Sequence, residues 1–387
     1  MTMTPLRTFF ASAVCLALAG GIAAAPQELA PALQRVEQLA AAEFAKDPRG
    51  SLTIGVVSRD RLVWSKSFGD ADAEKRIAAT PESVYRIGSI TKQFTGLMLL
   101  QLVERGKVRL TDPVEKYLPE INRIAGREPG WPAVTLIQLA TMTAGIAREP
   151  EDLPTFLAGP VSSWEQTTIR ALERTRYVHE PGTRYLYSNI GYAILGAALS
   201  RAAGRPFTDY VREEILVPLG MTRSAFERSP AIAPALALGY EIRNGQLDGA
   251  GPEREHEGRG YKVPNGALYT TVGDLAKFLA FQLGHGPDAV LSRKTLEDTH
   301  SRVLSATGTL DSGYGIGFQA TRRGAIVAIG HGGSVAGYNA AAHVHRPSQT
   351  GVIVLRNVGG GPVSAGGLAL RALEAVATAG PASSPGQ

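Results

Sequence analysis

The sequence predicts an α/β fold of the α+β kind, in which a mostly antiparallel sheet from both chain ends is flanked by helices and carries an inserted all-helical domain. Short runs rich in Val, Ile, Trp and Phe occur near both ends of the chain, as expected for strands. Helical periodicity, interrupted by Gly and Pro, dominates the middle. With 387 residues and 44% hydrophobic residues, the chain can bury a large core.

The predicted elements follow from hydrophobic periodicity and from turn residues at their ends. The predicted helices are Leu29–Phe44, a buried helix from Ser89 to Gly106, Thr135–Ala140, Tyr192–Ala203, Phe207–Val217, Gly273–Leu279 and Ala365–Ala377. The predicted strands are Leu52–Val57, Leu62–Phe68, Tyr314–Ala320, Ala325–Ile329, Ala340–His345 and Gly351–Leu355. The segments without a clear period, which we expect to be loops that shape a cleft, are Asn122–Pro132, Arg148–Trp164 and Leu236–Val263.

Residues 1–25 have the layout of a secretory signal peptide, with Arg7, an apolar run over Phe9–Ile22 and Ala23–Ala25 at its end. We therefore expect a periplasmic or secreted protein. The only cysteine, Cys15, lies in this segment, so a mature chain would have no disulfide and no thiolate metal site.

The predicted organisation is one folded unit over 26–378, in which 26–115 and 290–378 form the sheet part and 116–289 the mainly helical part. A disordered tail is expected over 379–387 because of its Pro and Ser content. The net charge of +5 comes mostly from scattered arginines, which predicts no nucleic-acid partner. No other stretch is long and apolar enough to predict stable membrane insertion. The oligomeric state is open.

A possible nucleophile stands at the start of the buried helix, where Ser89 precedes Lys92 by three residues. That spacing places both side chains on one helical face. Unpaired N–H groups at the helix start favour negative charge near Ser89, and burial disfavours the charged form of Lys92. Because a serine and lysine at this spacing also occur by chance, an N-cap serine beside a solvated lysine is the competing interpretation.

Two further polar clusters supply the groups that an activated serine needs. Tyr187 and Asn189 precede a predicted helix, and His331, Gly333 and Ser334 lie on or beside a predicted strand. A tyrosine can shuttle a proton, an amide can orient substrate, and a backbone N–H after glycine can stabilise an oxyanion.

With these clusters in this order, the sequence resembles the serine beta-lactamase-like superfamily, in the branch that holds class C beta-lactamases, D-alanyl-D-alanine carboxypeptidases, D-aminopeptidases and family VIII carboxylesterases. The resemblance covers about Leu52 to Asn357. Besides the three clusters, the matching segments are Tyr85–Ser89, Leu110–Val114, Pro181–Thr183, Pro218–Met221 and Tyr314–Gly317.

The resemblance implies a beta-lactamase/transpeptidase-like fold and an acyl-enzyme mechanism. It implies that Ser89 is the acylated nucleophile, Lys92 its activating partner and Tyr187 the proton shuttle. Asn189 would orient Lys92 and a substrate carbonyl, and His331 would line the cleft. The backbone N–H groups of Ser89 and Ser334, beside Gly333, would form the oxyanion hole. Asn189, His331, Gly333 and Ser334 would therefore bind the substrate. No metal or organic cofactor is implied.

The third cluster departs from the Lys-Thr-Gly motif that is usual in beta-lactamases, since it reads His331-Gly332-Gly333. The hydroxyl is absent at Gly332, and a histidine is charged only part of the time near neutral pH. We therefore expect a small-molecule or peptide substrate cleaved by an esterase or a D-amino-acid-type peptidase. A beta-lactamase or D-Ala-D-Ala carboxypeptidase is the alternative.

Other classes stay open on weaker grounds. The chain could be a non-catalytic penicillin- or peptidoglycan-binding protein, or a metallohydrolase that uses His343 and His345 at alternate strand positions. Two histidines without a third ligand are more typical of an exposed strand face. An alpha/beta-hydrolase is disfavoured because the sequence contains no G-x-S-x-G elbow.

Overall fold

The two ends of the chain meet in one nine-stranded antiparallel sheet. A computed structural model describes residues 27–309 and 311–379. The predicted signal peptide, and all but the first residue of the predicted tail, lie outside these residues. The strands are β1 (Ser51–Ser58), β2 (Arg61–Asp72), β3 (Ile77–Ala78), β4 (Tyr85–Arg86), β5 (Tyr240–Arg243), β6 (Gln246–Asp248), β7 (Tyr269–Thr270), β8 (Ser305–Ala306), β9 (Ser312–Tyr314), β10 (Gln319–Arg323), β11 (Ile326–Val335), β12 (Tyr338–His345), β13 (Thr350–Arg356) and β14 (Val358–Gly359).

The register shows how the ends are joined. The strand order in the main sheet is β3-β2-β1-β13-β12-β11-β10-β9-β8. The two chain ends are joined by the pair β1 and β13, where Leu52 lies opposite Arg356 and Ser58 opposite Thr350. Every neighbouring pair of this sheet is antiparallel. The predicted antiparallel sheet built from both chain ends is therefore confirmed.

Eleven α-helices lie in the described residues. They are α1 (Ala30–Phe44), α2 (Thr91–Glu104), α3 (Leu136–Ala140), α4 (Trp164–Leu172), α5 (Asn189–Ala203), α6 (Phe207–Val211), α7 (Ala250–Arg254), α8 (Val263–Gly266), α9 (Val272–Ala280), α10 (Arg293–His300) and α11 (Ala365–Ala377). Within residues 27–309 and 311–379, none of these helices is both long enough and apolar enough to span a bilayer.

Helices cover both faces of the sheet. On one face, α1 and α11 bury their apolar sides with Val36 and Leu368 against strand residues such as Val354. On the other face, α9 packs against β1 and β13, and its Leu275 joins the larger core with α2 and α5. The helix α9 thus contacts the sheet, although it lies within residues 116–289, the predicted helical part. The domain boundaries themselves stay predictions.

The helix α2 is apolar nearly all round and is buried from Thr91 to Leu102, as its sequence predicts. It packs against the helices α5 and α8, and the 3-10 turn that precedes it contacts β11. Because a buried helix keeps its side chains in fixed positions, α2 is a rigid support for any polar group at its start.

Several element predictions differ from the structure. The predicted strand Tyr314–Ala320 is two strands, β9 and β10, because the chain turns between them at Gly317, whose φ is +80°. The predicted loop Leu236–Val263 contains the hairpin of β5 and β6. The helix α10, over residues that carried no predicted element, begins after Ser292, whose hydroxyl accepts a hydrogen bond from the Thr295 backbone N–H.

Candidate active site

Ser89 stands in a 3-10 turn, Gly88–Ile90, that leads directly into α2. The turn approaches β11 closely: a Cβ at Gly88 would lie 2.8 Å from the backbone nitrogen of Ser334, and Gly88 has φ +50°. Glycine is needed at Gly88 on both counts. The Ser89 side chain remains partly accessible, so a substrate can reach its hydroxyl.

Lys92 is completely buried one helical turn further on. Its Nζ lies 3.0 Å from Oγ of Ser89, 2.8 Å from Oδ1 of Asn189 and 3.0 Å from the backbone oxygen of Asn265. Burial holds the pKa of Lys92 well below its usual range, although the nearby carboxylate of Glu149 opposes this shift. An uncharged amine has two N–H groups, which donate to Oδ1 of Asn189 and to the backbone oxygen of Asn265. Its lone pair then faces the Ser89 hydroxyl. The arrangement suits a base.

Asn189 is the first residue of α5, and hydrogen bonds to both its amide oxygen and its amide nitrogen hold the side chain in place. Its Oδ1 accepts from Lys92, and its Nδ2 donates to Oε1 of Glu149 over 2.7 Å. The other carboxylate oxygen of Glu149 accepts from the Tyr261 hydroxyl. The amide oxygen is therefore fixed toward Lys92. Because Glu149 occupies Nδ2, the predicted contact of Asn189 with a substrate carbonyl would require that hydrogen bond to move.

Tyr187 lies over the same amine, with its ring centroid 5.0 Å from Nζ of Lys92. The guanidinium of Arg148 stacks on the ring, 4.8 Å from its centroid. Burial raises the pKa of Tyr187, although the nearby Ser89 hydroxyl and the Arg148 charge work in the other direction. The phenol is consequently protonated at neutral pH and can donate a proton.

His331 is buried on β11 and is uncharged. Its Nδ1 donates to the Gly332 carbonyl over 2.5 Å, and its Nε2 accepts from the Tyr314 hydroxyl over 3.1 Å. Burial, with a smaller contribution from Lys92, lowers the pKa of His331 to about 3. The prediction of a partly charged imidazole is therefore wrong. The group that the resemblance aligns with the lysine of the Lys-Thr-Gly motif is therefore neutral.

The backbone of β11 runs against the nucleophile turn. A Cβ at Gly333 would lie 1.9 Å from the Ile87 oxygen and 3.3 Å from the Ser89 nitrogen, so only glycine permits this approach. The backbone nitrogen of Ser334 lies next to Gly88 on the same side. These contacts bring the Ser89 and Ser334 N–H groups to neighbouring positions, as an oxyanion hole requires.

A cleft of about 800 Å³ opens at Ser89, with Tyr187, His331 and Ser334 on its walls. The segment 360–366 forms another wall, which the sequence did not indicate. Arg148, from a predicted cleft loop, lines it as well, whereas no residue of Asn122–Pro132 is among its lining residues within the part of the chain that the structure describes.

The two histidines of the metal alternative lie apart from this cleft. His343 is buried in β12 with its Nδ1 unpartnered among the described residues, so it is not on the exposed strand face that the sequence suggested. His345 shares a hydrogen bond of 2.8 Å with the Ser348 hydroxyl. Across residues 27–309 and 311–379, no three His, Cys, Asp or Glu side chains come close enough to hold a metal ion.

The structure thus brings Ser89, Lys92, Tyr187, Asn189 and the His331–Ser334 strand segment together. It adds three residues that sequence reasoning missed as site residues: Glu149, Asn265 and Tyr314. Their only sequence signals were indirect. Glu149 falls in a predicted cleft loop, Asn265 follows another, and Tyr314 opens a segment that matched the superfamily.

Comparisons with known proteins agree with this geometry. The family model Beta-lactamase matches residues 36–377. The chain is 31% identical over 309 residues to Beta-lactamase-like protein 2 of Dictyostelium discoideum, covering 78% of this chain and 55% of that protein. It is 26% identical over 329 residues to Protein flp of Staphylococcus aureus strain N315, covering 84% and 63% respectively. The chain therefore spans roughly 55–63% of the length of these curated relatives.

One solved structure that is similar is that of the octameric penicillin-binding protein homologue from Pyrococcus abyssi. It superimposes with a TM-score of 0.74 at 29% sequence identity, covering 88% of this chain and 76% of that one. The likeness extends over both the sheet and the inserted helices, and so it supports the fold predicted from the sequence.

Proposed function

The chain belongs to the beta-lactamase family, and we propose on that premise that it is a serine hydrolase that cleaves an ester or amide through an acyl-enzyme on Ser89. One observation carries the proposal. A completely buried amine, Nζ of Lys92, lies 3.0 Å from the Ser89 hydroxyl, and two carbonyl oxygens hold it on its other sides. A structural serine and lysine pair has no need of that environment.

The proposed reaction starts with attack of Ser89 Oγ on the acyl carbon, while the hydroxyl proton passes to the uncharged Nζ of Lys92. The carbonyl oxygen becomes an oxyanion and accepts hydrogen bonds from the backbone N–H groups of Ser89 and Ser334. One such donor is typically worth about 2.7 to 4 kcal/mol of barrier. Negative charge at this point is also favoured by the helix start at α2.

Collapse of this intermediate breaks the bond to the leaving group, which takes a proton from the Tyr187 hydroxyl. The proton held on Lys92 then restores Tyr187. In the second half, water gives its proton to the same groups and attacks the acyl carbon, so that the acid is released and the Ser89 hydroxyl is regenerated. The raised pKa of Tyr187 and the lowered pKa of Lys92 fit these acid and base roles.

Within this class, we propose an esterase or a D-amino-acid-type peptidase. Beta-lactam recognition commonly uses a cation and a hydroxyl for the substrate carboxylate, and here the imidazole of His331 is uncharged and Gly332 has no side chain. The competing candidate is a protein that binds penicillin. It could be an enzyme, namely a beta-lactamase or a D-Ala-D-Ala carboxypeptidase, or a non-catalytic binding protein. It is favoured by the similarity to the Pyrococcus abyssi penicillin-binding protein homologue.

We also propose export to the periplasm or the medium, which rests on residues 1–25 alone, outside the described residues. Cell fractionation of the full chain, compared with a chain that lacks these residues, tests it. Export of the full chain and retention of the shortened one are expected; equal distribution would contradict the proposal.

The test of function compares chromophore release from p-nitrophenyl acetate and from a chromogenic cephalosporin. The proteins are the wild type, Ser89→Ala and a control, Ser301→Ala, which removes an exposed serine hydroxyl at the end of α10. We expect ester turnover in the wild type and the control, at least a thousandfold loss in Ser89→Ala, and slow cephalosporin turnover.

Other outcomes discriminate between the candidates. Rapid cephalosporin turnover would replace the esterase proposal by beta-lactamase activity and keep the nucleophile. Covalent labelling by a fluorescent penicillin without turnover of either substrate would favour the penicillin-binding candidate. Full activity in Ser89→Ala would refute the mechanism.

A further inference from the structure

A second, smaller cavity opens at the nucleophile, and Tyr187 is not among its lining residues. It has a volume of about 110 Å³, and its polar lining residues include Ser89, Asn189, Glu255, Arg259, Lys262 and Asn265. The apolar side chains of Leu157, Val335 and Ala336 complete the walls. At about 30 Å³ for one water, this volume holds three or four waters or one small polar group.

The position of this cavity identifies the part of the substrate that enters it. In the proposed function, on which this inference rests, Tyr187 gives its proton to the leaving group. Tyr187 lines the large cleft and is not among the residues that line the small cavity. The leaving group therefore lies in the large cleft, and the acyl part of the substrate points toward the small cavity. We call this cavity the acyl pocket.

Positive charge exceeds negative charge around the acyl pocket. Arg259 is only 6% exposed, and its Nη1 donates to Glu255, while its Nε has no hydrogen-bond partner among the described residues. Arg86 lies fully buried behind Glu255, with Nη2 3.5 Å from the same carboxylate oxygen and its guanidinium 5.7 Å from the Tyr269 ring centroid.

The third cation is Lys262, whose Nζ lies 3.3 Å from Oε1 of Glu149. Both oxygens of Glu149 are already engaged, one by Asn189 and one by Tyr261. Three cations, Arg86, Arg259 and Lys262, thus face two carboxylates, both of which have partners. Burial lowers the pKa values of Arg259 and Lys262, so their charged forms lack full compensation.

An anion in the acyl pocket would supply that compensation. A carboxylate can accept two hydrogen bonds from a guanidinium, and such charge-assisted bonds are about twice as strong as neutral ones. A substrate ammonium group would instead add a fourth positive charge.

We propose that the acyl pocket binds a carboxylate at the end of a short acyl chain, so that the preferred substrates are esters or amides of a dicarboxylic or other acidic acyl group. Arg259 is the residue that contacts the carboxylate, with Lys262 beside it. Arg86 acts through Glu255, because its charge lies 3.5 Å from the carboxylate that also accepts from Nη1 of Arg259. Nε of Arg259, which has no partner among the described residues, is the atom left for the substrate.

The experiment compares p-nitrophenyl esters with matched acyl groups: pentanoate, hydrogen glutarate and the cationic 4-(trimethylammonio)butanoate. Rates in Ser89→Ala serve as the blank for spontaneous hydrolysis. The wild type is expected to cleave the glutarate ester with at least tenfold higher kcat/KM than the pentanoate ester. Arg259→Met, which keeps the length and removes the charge, is expected to abolish this ratio, and Lys262→Met to reduce it several-fold.

The control is Arg254→Met, which removes an exposed arginine from the neighbouring surface groove and is expected to keep the wild-type ratio. Loss of all Ser89-dependent cleavage would refute the proposed function, whereas cleavage with a glutarate to pentanoate ratio of one or below would refute the acyl pocket alone. Preference for the cationic ester would refute it as well.

A binding measurement covers the case in which Arg259→Met does not fold or no ester is cleaved. Free glutarate is expected to raise the Tm of the Ser89→Ala protein in a concentration-dependent way, and pentanoate at the same ionic strength is not. The rise is expected to be smaller in Lys262→Met combined with Ser89→Ala. Absence of any glutarate effect would contradict the proposal independently of catalysis.

Discussion

At Lys92 the fold replaces water by two carbonyl oxygens and one serine hydroxyl. All three lie within 3.0 Å of Nζ, and none carries a formal negative charge. Burial without a directly paired carboxylate disfavours the ammonium form, which is why the pKa of Lys92 is lowered. The same side chain on a protein surface would stay charged and could not accept the proton of Ser89.

The first prediction concerns this proton. Since attack requires uncharged Lys92, kcat/KM for an ester is expected to increase with pH and to reach its plateau well below the ordinary lysine pKa of 10.4. Lys92→Arg should lose at least a thousandfold in kcat/KM at every pH, because a guanidinium stays protonated. The measurement is a pH profile of both proteins with p-nitrophenyl acetate. A wild-type rate that still climbs in proportion to hydroxide at pH 10 would contradict a lowered pKa.

The sequence could predict contacts between residues of one helix, but it could not predict contacts between residues far apart in the chain. Ser89 and Lys92 are three residues apart on one helix, so helical geometry alone predicts their contact. Glu149 contacts Asn189 across 40 positions, and Asn265 contacts Lys92 across 173. Contacts at such separations depend on how elements pack, and neither local spacing nor residue type indicates them.

At the scale of elements, the site depends on close packing of the strand β11 against the 3-10 turn Gly88–Ile90, with no side chain between the two backbones. Gly88 on the turn and Gly333 on β11 both face backbone atoms at distances that no Cβ could occupy. The two elements are separated in sequence by most of the folded chain, and they meet because β11 is an inner strand of the sheet that both chain ends build.

The second prediction compares two adjacent glycines of β11. Gly333→Ala would place a methyl group 1.9 Å from the Ile87 oxygen, so the strand must move away from Ser89. We expect kcat to fall at least a hundredfold, the amount that one lost oxyanion donor costs. In the control, Gly332→Ala, the nearest heavy atom to the new Cβ is 4.0 Å away, and we expect only a few-fold change.

The measurements are kcat with p-nitrophenyl acetate and Tm for both variants. Similar activities in the two variants would show that the approach of β11 to the turn does not matter for catalysis. A loss of Tm without a loss of kcat in Gly333→Ala would lead to the same conclusion.

Elements were predicted well where one face is strongly apolar and poorly where glycine redirects the chain. The helix α11 has the predicted bounds, Ala365–Ala377, because its apolar positions recur at helical spacing. The predicted strand over Tyr314–Ala320 failed because Gly315 and Gly317 turn the backbone between β9 and β10. Alternating residue types continue through that turn, so the pattern alone gave no break.

At the scale of the whole molecule, the prediction of a sheet from both ends with helices between them holds. It rested on strand-like runs at the two ends of the chain, and such runs can bury their apolar faces most readily in a shared sheet. The sequence did not predict which histidines would be buried. Three of the four buried histidines in the described residues are His300 on α10, and His331 and His343 on the neighbouring strands β11 and β12.

The third prediction is that acid destabilises the protein through these histidines. Burial lowers the pKa values of His300 and His331 to about 3 and that of His343 to about 4. Below the ordinary pKa of 6.5 the unfolded chain takes up protons that the folded protein does not, so stability is complete above pH 6.5 and decreases toward pH 4. Each histidine contributes at most about 1.4 kcal/mol of unfolding free energy per pH unit.

Thermal melts between pH 7.5 and 4.5 test this prediction. His343→Gln is expected to reduce the dependence of Tm on pH, whatever it does to Tm at pH 7.5. The control is His285→Gln, because His285 is partly exposed and is bonded to Gln349. Parallel Tm profiles for His343→Gln and the wild type would contradict the assignment to buried histidines.

The central claim, an acyl-enzyme on Ser89, is tested most directly by acid quenching during turnover. The wild type is mixed with p-nitrophenyl acetate, quenched within milliseconds to seconds, and examined by intact-protein and peptide mass spectrometry, beside Ser89→Ala and Ser301→Ala. With Ser89 as the nucleophile, one acetyl group is expected on the peptide that contains Ser89, in the wild type and in Ser301→Ala, and none at that site in Ser89→Ala. Continued ester turnover with the acyl group on another residue would contradict it.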